Sequence, residues 1–252
     1  MFRSKPFFRQ GFTLIELLVV IAIIALLVSI LLPSINQALH IAKQTKCSSN
    51  IRNFSQAAHL YAPENNYMVP TADFDGAKTK TFWATCYADY LGRNGLNDTN
   101  RTDKAFVESW VASHEAFKCP GIDSTEPAGI DFAVNNMDWR RFYDTGQFKG
   151  LGKWDAAKSL ADMKAAPSSV AYIVECSRRN SIGFSDFQSP GHLTYDQNGK
   201  PSGKRMIKHD DRRHRGKTTL GFFDGHAEVR DLADPQQFRM DVFIPKYYEY
   251  VN

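Results

Sequence analysis

The residue types best suited to chemistry gather toward the C-terminal part of the chain. His214 is followed by nine residues and then Asp224-Gly225, with His226 directly after and His209 shortly before. Two histidines and a carboxylate are a fragment of a zinc or iron ligand set, which needs three or four N, O or S donors converging on one point. Each residue also has a plainer explanation, and we prefer it. Asp224 is accounted for by turn geometry, His226 by an exposed strand position, and His214 by capping or a loop hydrogen bond. No metal or other cofactor is expected. Asp73 and Asp75 before Gly76 faintly resemble a calcium loop, but no acid follows at the spacing of an EF-hand.

Covalent and acid–base catalysis have even less to stand on. The sequence holds no G-x-S-x-G, H-E-x-x-H, P-loop or dinucleotide fingerprint. A triad of scattered Ser, His and Asp is set by geometry rather than order, so the sequence leaves it open. No enzymatic activity is expected. Cys47, Cys86, Cys119 and Cys176 form no C-x-x-C, which argues against a zinc ribbon or a thioredoxin-like site. They are expected to be small buried residues with at most one bridge, and no pairing among them follows from spacing.

The other ionisable residue in an unusual setting is Glu16. It lies within an apolar run from Phe12 to Leu32, broken only by Thr13, Glu16 and Ser29 and stopped by Pro33. About 20 residues at roughly 1.5 Å rise span a hydrocarbon core, so this run is long enough to cross a membrane. A carboxylate in lipid costs on the order of 2.5–3.5 kcal/mol, so an acid there is expected to have a partner and a role. Residues 1–11 carry Arg3, Lys5 and Arg9 and no anion, which places that end on the cytoplasmic side and the rest outside. The formal charge of +4 falls to +1 without those three cations. A basic cluster, Lys204-Arg205, Lys208 and Arg212-Arg213-His214-Arg215, is interrupted by Asp210 and Asp211 and is read as a solvated loop. No nucleic-acid partner is expected.

A secretory signal has its cleavage site after the apolar region. Here the leader-like junction, Gln10-Gly11-Phe12, comes before it. The order of basic leader, Gly11, Phe12, Thr13, Leu14, Ile15 and Glu16 resembles the class III signal of type IV pilins and type II secretion pseudopilins. The resemblance implies cleavage after Gly11 by a prepilin peptidase and N-methylation of Phe12. It also gives Glu16 a partner, the terminal ammonium of a neighbouring subunit in a filament.

Past Pro33 the pattern becomes amphipathic. Ile35, Ala38, Leu39, Ala42, Cys47, Ile51, Phe54, Ala58 and Tyr61 recur at steps of three and four, with one longer step. The helix is expected to continue from the membrane to residue 62, with Pro33 in a kink and Pro63 barring further extension. Its apolar stripe needs a head domain to cover it. In that head, turns are expected at Glu64–Tyr67 and Asp73–Gly76 and short elements at Phe82–Leu91 and Phe106–Phe117, with Phe106, Val107, Trp110 and Val111 on one helical face. Residues 92–103 and 181–202 read as loops. Short strands are expected at Ile130–Val134 and Val170–Glu175.

The clearest local signal is a hairpin. Thr218–Phe223 and His226–Asp231 flank Asp224-Gly225, a dipeptide that favours a two-residue type I′ turn. That turn pairs Phe222 with Ala227 and Leu220 with Val229, placing all four on the core face. Asp234-Pro235 reads as an N-cap and first helical residue. The spacing of His214, Asp224 and Gly225 is similar to the H-x9-DG signature of a group of prepilin-like proteins; the resemblance supplies no role for these residues. Looser similarity to that group covers Asn53–Pro70 and Phe117–Pro120.

The expected fold class is α+β, a long N-terminal spine helix packed on a mainly antiparallel head. The divisions are a leader (1–11), a membrane part of the spine (12–33), an amphipathic part (34–62) and the head (63–252). The expected protein is a pilin-like or pseudopilin structural subunit of a type II secretion or type IV pilus-like filament. Its partners would be prepilin peptidase and other pilin-like subunits. It would cross the bacterial inner membrane once, with its head periplasmic or extracellular. The competing reading is a membrane-anchored module, displayed singly, that binds a glycan or protein.

Overall fold

The computed structural model describes residues 12–70, 82–92, 95–97, 99–122, 129–136, 157–160, 163–181, 186–187, 213–239 and 242–243. The leader, Gly11, the Asp73–Gly76 turn, His209, most of the basic cluster and most of the 181–202 loop lie outside these residues. The chain divides into two compact units, one ending at Ile41 and one beginning at Ala42.

Helix α1 spans Leu14–Glu64 as a single element that includes Pro33. In the first unit, every large apolar side chain from Phe12 to Leu32 is at least 44 % exposed. Fully burying one such side chain is worth about 1.5–3 kcal/mol, so this run calls for an apolar surrounding. In the second unit α1 buries Cys47, Asn50, Ile51, Phe54, Ser55, Ala57, Ala58 and Ala62, a stripe at steps of three to four. Phe54 is its centre, with ring centroids 5.2 Å from Trp83, 5.4 Å from Phe117 and 5.5 Å from Phe132. Aromatic pairs at these distances add to the area they bury.

Helix α1 ends two residues later than expected. Pro63 falls in the last turn, where its missing N–H leaves only the His59 carbonyl without a helical donor. Termination is left to the next residues. Asn66 and Tyr67 take positive φ (55° and 57°), the amides of Asn65 and Tyr67 both donate to the Ala62 carbonyl, and Asn65 Nδ2 caps the Tyr61 carbonyl at 2.9 Å.

The remaining elements are β1 (Met68–Pro70), α2 (Trp83–Cys86), α3 (Lys104–Ser113), β2 (Gly129–Asn135), β3 (Ala157–Ser159), β4 (Ala171–Ser181), β5 (Asp186–Phe187), β6 (Lys217–Phe222) and β7 (Ala227–Asp231). Helix α3 starts at an Asp103 cap that accepts from the Phe106 amide, and it buries Val107, Trp110 and Val111. Phe106, expected on that face, stays 39 % exposed. Strands β1 and β3 form a small antiparallel pair. The main sheet has the order β5-β2-β4-β6-β7; it is antiparallel except for the short β5, which runs parallel to β2. The fold class is α+β, as expected.

The hairpin corrects one expectation. Strands β6 and β7 pair Gly221 with Ala227, Leu220 with Glu228 and Thr219 with Val229, one residue away from the expected register. The connection is a three-residue loop, Phe223-Asp224-Gly225. Gly225 N donates to Phe222 O, Phe222 N donates to His226 O, and Gly225 sits at φ 91°, as a type I turn with a following left-handed residue requires. A one-residue slip exchanges faces, so Val229 ends 46 % exposed instead of buried.

The other side of β6 is closely packed. At Gly221 an added Cβ would lie 2.0 Å from Ser55 Oγ and 2.7 Å from Cγ2 of both Ile51 and Ile173. Helix α1 therefore rests directly on the backbone of β6, and Ser48 and Thr219 hydroxyls bond beside it at 2.8 Å.

Candidate functional site

Two places carry the residues singled out by sequence. The first is the start of α1. Thr13 is its cap: the Thr13 amide and hydroxyl both donate to Glu16 Oε2 at 2.8 Å, and the Glu16 amide donates to Thr13 Oγ1 at 3.2 Å. This reciprocal arrangement is a capping box, and the T-x-x-E spacing was a sequence signal for it. Within the single chain, Glu16 has Thr13 as its partner. Phe12 lies exposed just ahead.

The second place is the interior of the head. His214 lies in the turn before β6 and Asp224-Gly225 in the loop after it, so the nine intervening residues are mostly one strand. A six-residue strand at ~3.3 Å rise holds the two ends roughly 20 Å apart. His214 and Asp224 therefore cannot share a ligand. Asp224 sits at the hairpin tip, where its carboxylate takes the His226 amide at 3.1 Å and His226 Nδ1 at 2.5 Å, with Glu228 Oε1 3.3 Å from Nε2. Partial burial opposes ionisation of Asp224, but the side-chain and backbone hydrogen bonds from His226 hold its carboxyl below the ordinary value.

His214 instead points inward. It and Arg215 adopt positive φ (46° and 59°), followed by Gly216 at 76°. The left-handed region costs a non-glycine residue roughly 1–2 kcal/mol, so tertiary contacts must hold the imidazole there. Its Nε2 is 2.8 Å from Glu175 Oε1 and 3.1 Å from Cys119 Sγ. Cys119 forms a disulfide with Cys47 of α1, with 5.3 Å between Cα atoms, while Cys86 and Cys176 are buried and take no part in that bridge. Burial pushes the Cys86 thiol up to about 12, against a smaller opposing effect from its hydrogen bond with Tyr61. Ligand-type atoms of Cys47, Cys119, Glu175 and His214 all lie within 4.8 Å of one another, and all four residues are buried.

Local structure explains why these four meet. Cys47 belongs to the buried stripe of α1. Cys119 lies in a loop pinned on two sides: its amide donates to buried Asp131 at 2.7 Å, and Asn50 Nδ2 of α1 donates to the Lys118 carbonyl at 3.3 Å. Glu175 projects from β4, next in the sheet to β6, which His214 precedes. Sequence reasoning found His214 but assigned it a loop role, and it missed Cys47, Cys119 and Glu175 as a group. One signal was present: a glutamate ending the apolar run Val170–Val174 in a central strand has no solvent to face and needs a partner.

Comparison with known proteins bears on the first place. The prokaryotic N-terminal methylation motif matches residues 8–32, the stretch that includes Gly11, Phe12 and Glu16. Competence protein ComGC of Halalkalibacterium halodurans is 30% identical over 71 residues, which is 28% of this chain and 70% of that protein. No solved structure matches the chain. With its capped, exposed apolar helix start and this motif, the chain belongs to the prepilin-type proteins, the class of the type IV pilins and type II secretion pseudopilins.

Proposed function

We propose that the protein is a structural subunit of a type II secretion or type IV pilus-like filament, inserted once in the bacterial inner membrane with its head outside. Prepilin peptidase would cut after Gly11, leaving Phe12 as the methylated amino terminus. The observation that carries this reading is what α1 does where the motif falls. The methylation motif matches residues 8–32, and from Phe12 to Leu32 every large apolar side chain is exposed. A helix that is apolar all round and buries none of itself in its own chain is built to be covered by lipid and by like helices. A structural role of this kind calls for no enzymatic activity and no nucleic-acid partner.

Glu16 has a double use in this scheme. In the isolated chain it completes the Thr13 cap. In a filament its carboxylate would also neutralise the terminal ammonium of a neighbouring subunit, offsetting the cost of a charge in a lipid-like interior. Intact mass and N-terminal sequencing of the membrane-extracted chain, with and without co-expressed prepilin peptidase, tests the proposal. A chain beginning at methylated Phe12 is expected with peptidase present. A chain that keeps residues 1–11 beside active peptidase would remove it from the pilin pathway.

A further inference from the structure

We propose that the head contains a structural zinc site made by Cys47, Cys119, Glu175 and His214 when the two cysteines are thiols. Four donors come from four separate segments, the spine helix, the 118–121 loop, β4 and the turn before β6, and converge in the interior with all ligand-type atoms within 4.8 Å. A disulfide by itself explains two of them. It gives no reason for a carboxylate and an imidazole, exposed by 0% and 2%, to be buried against the same sulfur.

The short contacts within the group point the same way. Cys119 Sγ is 2.8 Å from Glu175 Oε1 and 3.1 Å from His214 Nε2, and Nε2 is 2.8 Å from Oε1. All three atoms carry lone pairs. One imidazole proton can serve only one edge of this triangle, and a sulfur in a disulfide has no proton to give. A cation among them converts every edge into a pair of ligands on one centre. Tetrahedral zinc, with sulfur at about 2.3 Å and nitrogen or oxygen at about 2.0–2.1 Å, places ligand atoms roughly 3.3–3.8 Å apart, an expansion of several tenths of an ångström on the triangle's present edges.

The surroundings suit a closed metal centre. The Gly121 amide donates to Cys119 Sγ at 3.3 Å, the support that a metal-bound thiolate takes from backbone N–H groups. An added Cβ at Gly121 would lie 2.7 Å from His214 Cε1 and 2.9 Å from Nε2, so the loop closes on the site with bare backbone. Two sulfurs, one imidazole nitrogen and one carboxylate oxygen are a soft-to-borderline set that favours zinc over calcium or magnesium. Four protein ligands complete a tetrahedron, which is the arrangement of a structural site, not a catalytic one. Binding replaces the two thiol protons with one Zn²⁺ and releases both protons to solvent, with no change of oxidation state. The metal and the disulfide are alternative uses of the same sulfurs, and each ties α1 to the sheet.

The test uses the full-length chain, extracted in detergent with a phosphine reductant present throughout and supplied with zinc alone or cobalt(II) alone. About one zinc per chain is expected, and cobalt should give thiolate-to-metal charge transfer with tetrahedral visible bands. Glu175→Gln, close in shape and able to keep the fold, should weaken zinc binding roughly tenfold or more, and Cys119→Ser should abolish the charge-transfer band. Cys86→Ala lies outside the site and should keep both signals. A folded wild-type chain with all four thiols titratable and no bound metal would overturn the proposal. So would zinc retained at full affinity in both Glu175→Gln and Cys119→Ser.

Discussion

Nε2 of His214 lies 2.8 Å from Oε1 of Glu175, and neither residue exposes more than 2% of its surface. The pair joins the turn before β6 to the adjacent strand β4 across the middle of the main sheet. A buried carboxylate is expensive to strip of water and is tolerated only with a partner. His214, held at positive φ, is positioned to be that partner.

Removing one member should therefore cost more than removing both. In the disulfide-bonded, metal-free chain, His214→Ala is expected to lower stability by about 3 kcal/mol, because it leaves Glu175 buried without its imidazole. Replacing the two together by apolar residues of similar size, His214→Leu with Glu175→Leu, should cost less than the single change. Denaturant unfolding in detergent followed by tryptophan fluorescence, with His214→Leu and Glu175→Leu as the single variants of a double-mutant cycle, measures the coupling. Additive losses would mean that the pair carries no coupling.

Gly221 predicts a second effect from packing alone. A methyl group there would overlap Ser55 Oγ and two isoleucine methyls, one on α1 and one on β4. Gly221→Ala should destabilise the head by roughly 1–3 kcal/mol. Ser55→Ala combined with it should recover part of the loss, since Ser55 Oγ is the nearest obstacle at 2.0 Å. Thermal unfolding of the unaltered chain and the two variants reads the order.

At Glu16 the cap and the charge can be separated. Glutamine serves at the third position of a capping box but carries no charge. Glu16→Ala is expected to insert in the membrane and assemble poorly. Glu16→Gln should keep the α1 start ordered, and its assembly should still fail if the carboxylate pairs with a neighbour's ammonium. Crosslinking ladders through cysteines placed on the exposed half of α1 would report assembly. A normal ladder from Glu16→Gln would assign Glu16 to helix capping alone.

The buried hydroxyls and thiol set the alkaline limit of the fold. Tyr87 and Tyr172 share a 2.6 Å hydrogen bond, and Tyr172 donates to the Pro70 carbonyl at 3.0 Å. Desolvation raises both phenols well above their ordinary value and raises the Cys86 thiol to about 12. Folded-state values above unfolded ones mean that the folded chain keeps protons the unfolded chain gives up. Their contribution is complete below the unfolded thiol value near pH ~8.5 and is lost progressively as pH rises toward 12 and beyond. The midpoint of thermal unfolding should thus be level through neutral pH and fall from about pH 9 upward. Cys86→Ala should remove the earliest part of that fall.

The sequence by itself determined the features that depend on short-range order. The run from Gly11 to Glu16 and the apolar stretch to Leu32 need only contiguous residues to be read, and so do the amphipathic stripe through Phe54 and the Asp234 cap. The presence of a hairpin at Asp224-Gly225 was equally local. Its register was not. Asp-Gly fits both a two-residue loop and a three-residue loop ending in a left-handed glycine, and the sheet took the second. That choice lies in the sheet pairing, which the dipeptide alone does not specify.

Tertiary structure alone decided the meeting of Cys47, Cys119, Glu175 and His214. No spacing rule links them, because each is delivered by a different element and their proximity exists only once α1 has docked on β6 and β4. The nine-residue interval from His214 to Asp224 was legible as a motif but not as geometry. It is mostly one strand, and a strand separates its two ends instead of joining them. His214 therefore belongs to a buried cluster on one side of β6, and Asp224 to an exposed turn at the other.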